Sequence, residues 1–168
     1  MVEDRLPPAR FPRRRGSDHN RIRGLDMKTL YVLAVSLLFT GASASAGEVL
    51  KVVERATTDA VTDTGATGDS AGDILTFANE VFDAANAAKV GHNQGFCVRT
   101  IAGTAWECWW TLSLAAGQIT VQGPFLDKGD SVLAITGGTG KYAAARGQMK
   151  LHARNDKGTE YDFAYELE

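Results

Sequence analysis

The stretch Thr159-Glu-Tyr-Asp-Phe-Ala-Tyr-Glu-Leu167 alternates with a period of two: Thr159, Tyr161, Phe163, Tyr165 and Leu167 share one face, and Glu160, Asp162, Ala164, Glu166 and Glu168 the other. Successive side chains of a strand point to opposite sides, so this pattern predicts a strand with one apolar face buried and one charged face in water. The preceding segment repeats the scheme. Met149, Leu151 and Ala153 oppose Gln148, Lys150, His152 and Arg154, and Asn155-Asp156-Lys157-Gly158 supplies the turn between the two.

Working back towards the N-terminus, strand-like runs occur at Ser131 to Thr136, Gly117 to Phe125, Ala105 to Leu114, Gln94 to Ile101, Asp73 to Phe82 and Glu48 to Ala56, eight strands in all. Short Gly, Asp or Asn turns separate most of them, and only the Ala-rich stretch Asp83 to His92 suits a turn or two of helix. Parallel strands need crossover helices, so the chain is predicted to be antiparallel. For strands this short and this numerous, the expected solution is an all-β, eight-stranded up-and-down barrel, which leaves no open edge. The interior of such a barrel is wide enough for side chains or for one small ligand. Residues 57–72, rich in Thr, Asp, Gly and Ser, read as a polar and mobile loop.

The first 46 residues read as an address. Lys28 precedes an apolar stretch from Leu30 to Phe39 and the small-residue tract Thr40-Gly-Ala-Ser-Ala-Ser-Ala46, the pattern of a signal peptide cut after Ala46. Residues 1–26 then form an upstream extension and Met27 the initiator, with residues 47–168 as the mature domain, periplasmic or secreted. Arg13-Arg14-Arg15 stands too far from the apolar stretch for a twin-arginine signal. No apolar run reaches the roughly 20 residues of a spanning helix, which argues against stable membrane insertion. The first 46 residues hold 8 of the 18 basic residues and 4 of the 20 acidic ones, leaving 10 against 16 in the remainder. So acidic a body lacks the clustered Lys and Arg that displace counterions from nucleic acid or from an anionic membrane.

Several patterns suggest chemistry and have plainer readings. Gly68-Asp-Ser-Ala-Gly72 fits G-x-S-x-G, but a nucleophile elbow needs a strand before it and a helix after it, and here a polar loop precedes and a strand follows. Ile135-Thr-Gly-Gly-Thr-Gly-Lys141 departs from a phosphate-binding loop at Ile135 and at Tyr142, and reads as a tight turn between strands. Cys97, Cys108, His92 and His152 have no metal-site spacing, so no metal is expected. Asp59, Asp63, Asp69 and Asp73 are too sparse for a calcium loop and read as solvated surface.

The two cysteines depend on register. With Ala102-Gly103 at the centre of the hairpin turn, Cys97 lies opposite Cys108 and a disulfide is geometrically reasonable; with Gly103-Thr104 there, Cys97 faces Trp110 and Cys108 faces Arg99. An oxidising compartment favours the bridge. Trp106, Cys108, Trp110, Leu112 and Leu114 share the inward face of their strand, where core and pocket wall are the same surface.

Separated motifs, in order, carry a family resemblance: Gly72-Asp-Ile-Leu75, Phe77-Ala-Asn79, Gly95-Phe-Cys-Val98, Gly117-Gln-Ile-Thr-Val-Gln-Gly-Pro-Phe125, Asp130-Ser-Val-Leu-Ala-Ile-Thr-Gly-Gly-Thr-Gly140 and Arg146-Gly-Gln-Met-Lys-Leu151. Together they resemble the allene oxide cyclases, and the Gly-Gly-Thr-Gly turn with Ala145-Arg146-Gly147 also resembles the related dirigent proteins. The resemblance implies a barrel that forms homo-trimers and encloses a hydrophobic cavity. In the plant enzymes that cavity folds an unsaturated fatty-acid epoxide for ring closure without a cofactor. It also implies that Asn79 holds a catalytic water, that Glu54 stabilises a cation, and that Leu75, Phe77, Cys97, Trp106 and Phe125 form the apolar wall, to which Trp110 adds on its position. The plant Ser-Pro pair that completes the water site is absent. Two functions follow as expectations: a cofactor-free isomerase or cyclase of an apolar epoxide or polyene, or a dirigent-like protein that binds a hydrophobic small molecule and steers a coupling. A filled barrel acting through its surface is the third.

Overall fold

A computed structural model describes residues 47–168; the expected extension and signal peptide lie outside the described residues. The strands are β1 (Glu48–Arg55), β2 (Ala60–Thr62), β3 (Ile74–Asp83), β4 (Lys89–Ile101), β5 (Ala105–Leu114), β6 (Gly117–Leu126), β7 (Ser131–Gly138), β8 (Gly147–Ala153) and β9 (Glu160–Leu167). Each pairs antiparallel with its neighbours in the order β1-β9-β8-β7-β6-β5-β4-β3, and β1 pairing with β3 closes the barrel. The alternation read from the C-terminal stretch is the physical cause: Phe163, Tyr165 and Leu167 are buried, and the acidic partners on the same strand face outward.

Four local expectations are corrected. Asp83 to His92 holds no helical turn: the Asp83 carboxylate accepts from the Ala87 and Ala88 amides, Asn86 adopts φ 57°, and β4 starts at Lys89. A local acceptor and one left-handed Asn reverse the chain here more tightly than a helix would. The polar loop 57–72 contains β2, which pairs with β3 at Ala60↔Thr76 and Thr62↔Ile74. Its remainder is tied down, since Asp73 accepts from the Thr64 and Ser70 amides. The Gly-rich stretch is not a tight turn. It continues β7 to Gly138, passes through a 3-10 turn at Gly140–Tyr142 and buries Tyr142 in the floor of the barrel.

The β4–β5 turn is centred on Ala102-Gly103, with the Thr104 amide bonded to the Ile101 carbonyl and Gly103 at φ 64°. That register sets Cys97 opposite Cys108, and the two form a disulfide with Cα atoms 4.0 Å apart. The loop after β1 and the turns after β4, β6 and β8 gather at one mouth: the Asp127 amide bonds Thr104, the Gly103 amide bonds Asp69, and the Ala56 amide bonds Thr159. The half of the barrel away from this mouth is filled by Val81, Leu112, Ile119, Met149 and Tyr165, all with essentially no exposure.

Candidate active site

Above that filled floor the strands place a ring of aromatic side chains. Trp110 stacks on Phe163 (5.7 Å between centroids), meets Phe77 edge-on at 6.0 Å, and donates its indole N–H to the Tyr165 hydroxyl at 3.4 Å. The indole fits because position 95 is glycine: a Cβ there would fall 2.5 Å from the Trp110 Cβ. Phe125 and Tyr161 meet edge-on at 5.9 Å on the mouth side. Between them lies a cavity of about 30 Å³, lined by these five rings with Leu75, Leu151, the Cys97–Cys108 disulfide, Glu54 and Asp59.

Phe125, Leu151 and Tyr161 also line an outer groove of about 490 Å³ between the β6–β7 and β8–β9 turns, so the cavity and the groove share these three side chains, and exposed Asp59 stands at the cavity rim. On the opposite side of the mouth Arg99 makes a brace. Its guanidinium lies 3.9 Å over the Trp106 ring and donates through one amino group to both Asp127 oxygens at 2.7 and 2.8 Å. Arg99 Nε is ion-paired with Asp69 at 2.6 Å without being aligned to donate to it. The expectation for Trp106 is corrected accordingly: it points inward, but it is covered by Arg99 and is not part of the cavity wall.

The polar side of the cavity is built on β1, β3 and β4. Glu54 is buried. Its Oε2 accepts from Asn93 Nδ2 at 2.6 Å and its Oε1 from Asn79 Nδ2 at 3.3 Å. Burial pushes the Glu54 carboxyl up to about 7; the amide of Asn93 pulls it down, the charge of Asp59 pushes it up, and the amide of Asn79 pulls it down. Asn79 is saturated. Its Oδ1 accepts from the Thr57 and Thr58 amides and the Thr58 hydroxyl, and its Nδ2 also donates to Asp59 at 2.7 Å. Asn79 thus fastens the start of the 57–72 segment and bridges two carboxyl groups. Tyr161 is raised by burial first and then by the charges of Asp59 and Glu54.

The structure therefore brings together Glu54, Asn79, Leu75, Phe77, Cys97, Trp110 and Phe125. It adds three residues that sequence reasoning missed. Asp59 is exposed, as read, and its carboxylate also reaches the rim of the cavity, where it accepts from Asn79. Asn93 preceded the expected start of its strand, yet it has the parity of Cys97 and so faces inward; continuing the alternation back by four residues finds it. Tyr161 belonged to the apolar face of the last strand with no role attached. Among the described residues no group of His, Cys, Asp and Glu is placed to hold a metal ion.

The sequence model of the family described as allene oxide cyclase matches residues 48–154. This chain belongs to the allene oxide cyclase family. Similar solved structures include a pyocyanin demethylase, at 24% identity over 72% of this chain and 100% of that one with a TM-score of 0.63. An exo-specific intermolecular Diels-Alderase, AbnU, follows at 13% identity over 72% and 98% of the two chains with a TM-score of 0.58. The pterocarpan synthase dirigent protein PsPTS1 matches at 12% identity over 71% and 92%, with a TM-score of 0.57. At these identities the likeness is one of fold: the same barrel carries cyclase-family, Diels-Alderase and dirigent members.

Proposed function

We propose that this allene oxide cyclase-like barrel is a cofactor-free cyclase or isomerase that takes an apolar, unsaturated small molecule, an epoxide or polyene, into the cavity above Trp110. The observation that carries this reading is Glu54, a carboxyl poised at about 7 on the wall of an otherwise aromatic cavity and held by two amides. A buried group near neutrality is what general acid–base chemistry and charge stabilisation need. As an epoxide C–O bond opens, positive charge grows on carbon; ionised Glu54 faces that charge, and the rings of Trp110 and Phe163 stabilise it through their π-faces. The stacked wall restricts a flexible chain to one reactive conformer, which is the larger part of the work in a ring closure. Asn79 orients Glu54 and, through Asp59 and Thr58, the segment over the cavity.

The cavity of about 30 Å³ holds little more than water, so substrate admission requires Phe125 and Tyr161 to part and join it to the groove outside. The brace at Arg99 keeps the other side of the mouth closed. Export of the mature domain and assembly as a homo-trimer are part of the proposal. The trimer is supported by an apolar patch on the outer wall in which exposed Phe96 stacks on exposed Trp109 at 5.5 Å, with exposed Ile74 on the neighbouring β3.

Native mass spectrometry of the mature domain, residues 47–168, purified from the exported fraction of a host tests the reading. A trimer carrying an apolar molecule is expected, and the recovered compound is expected to turn over without added oxidant. Asn79→Ala is expected to abolish turnover and leave binding largely intact. Turnover that survives this change removes the site assignment. The alternative, a dirigent-like barrel, is favoured if the protein acts only when oxidant is added and alters product handedness but not rate.

A further inference from the structure

The polar groups that meet the cavity are almost all acceptors. Glu54 and Asp59 both line it, linked through the single Asn79 amide, and no Lys, Arg or His is among the lining residues. Asn93 stands behind Glu54 and is not itself a lining residue. It is fully buried, its Nδ2 is spent on Glu54, and its Oδ1 has no hydrogen-bond partner among the described residues. The guanidinium of Arg55 is engaged with Asn86 and lies over Phe82, and that of Arg99 is engaged with Asp127 and Asp69. A ligand in this space meets two carboxyl groups against aromatic faces, with only the Tyr161 hydroxyl as a donor.

Resting on the pocket reading above, we infer that the ligand is a flat unsaturated molecule carrying a cationic or N–H-bearing nitrogen at the end that meets Glu54 and Asp59, and that a carboxylate-bearing ligand is excluded. Two effects act in the same direction. Carboxylates attract a cation in a site walled by low-dielectric side chains, and ring faces attract it through their quadrupoles. A carboxylate ligand would lose its hydration and find no cation in exchange. A bicyclic ring is larger than the cavity alone, so it lies across the Phe125 and Tyr161 wall with its charged end inward.

The test is calorimetric titration of the full chain at pH 8 with three ligands of one shape: 1-methylquinolinium, quinoline and quinoline-4-carboxylate. The cation is expected to bind about tenfold tighter than quinoline, and the carboxylate about tenfold weaker. In an E54Q/D59N double variant the spread is expected to collapse to within about threefold while quinoline affinity is kept, which also shows that the pocket still folds. Equal binding of quinoline and 1-methylquinolinium overturns the charge inference and leaves the pocket reading standing. Tightest binding of the carboxylate, or a cation preference that survives the double variant, overturns it as well. If none of the three binds, the pocket reading and this inference fall together.

Discussion

Asn93 on β4 donates to Glu54 on β1 at 2.6 Å across the strand that lies between them. No sheet hydrogen bond links these strands, so the contact exists only because the barrel is closed. It is the shorter of the two amide ties on the carboxyl that the proposed chemistry depends on, and it opposes the rise that burial imposes on that group.

Asn93→Leu is therefore expected to move the Glu54 titration upward from about 7, because the amide that favours the charged form is lost and burial is kept. NMR titration of the Glu54 side-chain carboxyl carbon reads the shift. Removing one partner of a buried polar pair also costs about 1–3 kcal/mol of stability, measurable by urea unfolding.

Glu54 makes stability fall as pH rises. Its folded value of about 7 lies above the unfolded 4.5, so the native state holds the proton more tightly between them. The contribution is fully present below about 4.5, declines through the interval and is gone above about 7. At the ~1.4 kcal/mol per pH unit of linkage this is about 3 kcal/mol in total. Glu54→Gln is expected to remove the slope, leaving the variant more stable than the parent at pH 8. Urea midpoints of both proteins at pH 5 and 8 provide the check, since the other carboxylates are common to the pair.

Reduction of the Cys97–Cys108 bridge is expected to destabilise the barrel by about 3 kcal/mol, the chain-entropy value for a loop of this size. The bridge spans 11 residues within one hairpin, so it constrains the unfolded chain locally. Urea unfolding with and without reductant measures the difference.

Arg99→Ala removes the brace between Asp69 and Asp127 and uncovers Trp106. A loss of about 2 kcal/mol is expected from the charge-assisted hydrogen bonds. Amide exchange is expected to quicken around Asp69 and Gly103, with the floor at Leu112 and Ile119 unchanged; hydrogen-exchange mass spectrometry separates these regions.

Trp109→Glu places a second charge, two residues from Glu107, in the apolar patch that Trp109 forms with Phe96 on the outer wall. A shift from trimer to monomer in the native mass is expected, with the circular dichroism of the barrel retained, because the side chain points away from the core.

Much of this molecule is legible in one dimension. Period-two alternation in Thr159 to Leu167 and its counterparts identifies strands, short polar turns force neighbouring strands to run antiparallel, and the number of strands calls for closure. The resemblance motifs contain Asn79 and much of the apolar wall, while Glu54 comes from the family's first strand, outside them. The misses share one cause: alternation tells which face a side chain takes, and says nothing of what stands across the barrel from it. Asp59 stays exposed, as the composition of its loop predicts, and what the sequence does not show is that its carboxylate meets the Asn79 amide at the cavity rim. Trp106 has the parity of a wall residue and is removed from the wall by Arg99, which reaches it from the adjoining strand.

Strand identity, strand direction and the inward set of side chains are local properties, determined by the sequence because each depends on residues within a few positions of one another. The register at Ala102-Gly103 that joins Cys97 to Cys108, the burial that lifts Glu54, and the division of the interior into a filled floor and an aromatic cavity were decided by tertiary structure alone. The hairpin register is local, but two turns of nearly equal fitness offered themselves to the sequence; the other two are properties of side chains brought together from strands far apart in the chain, and they acquire their energy only when closure removes the water between them.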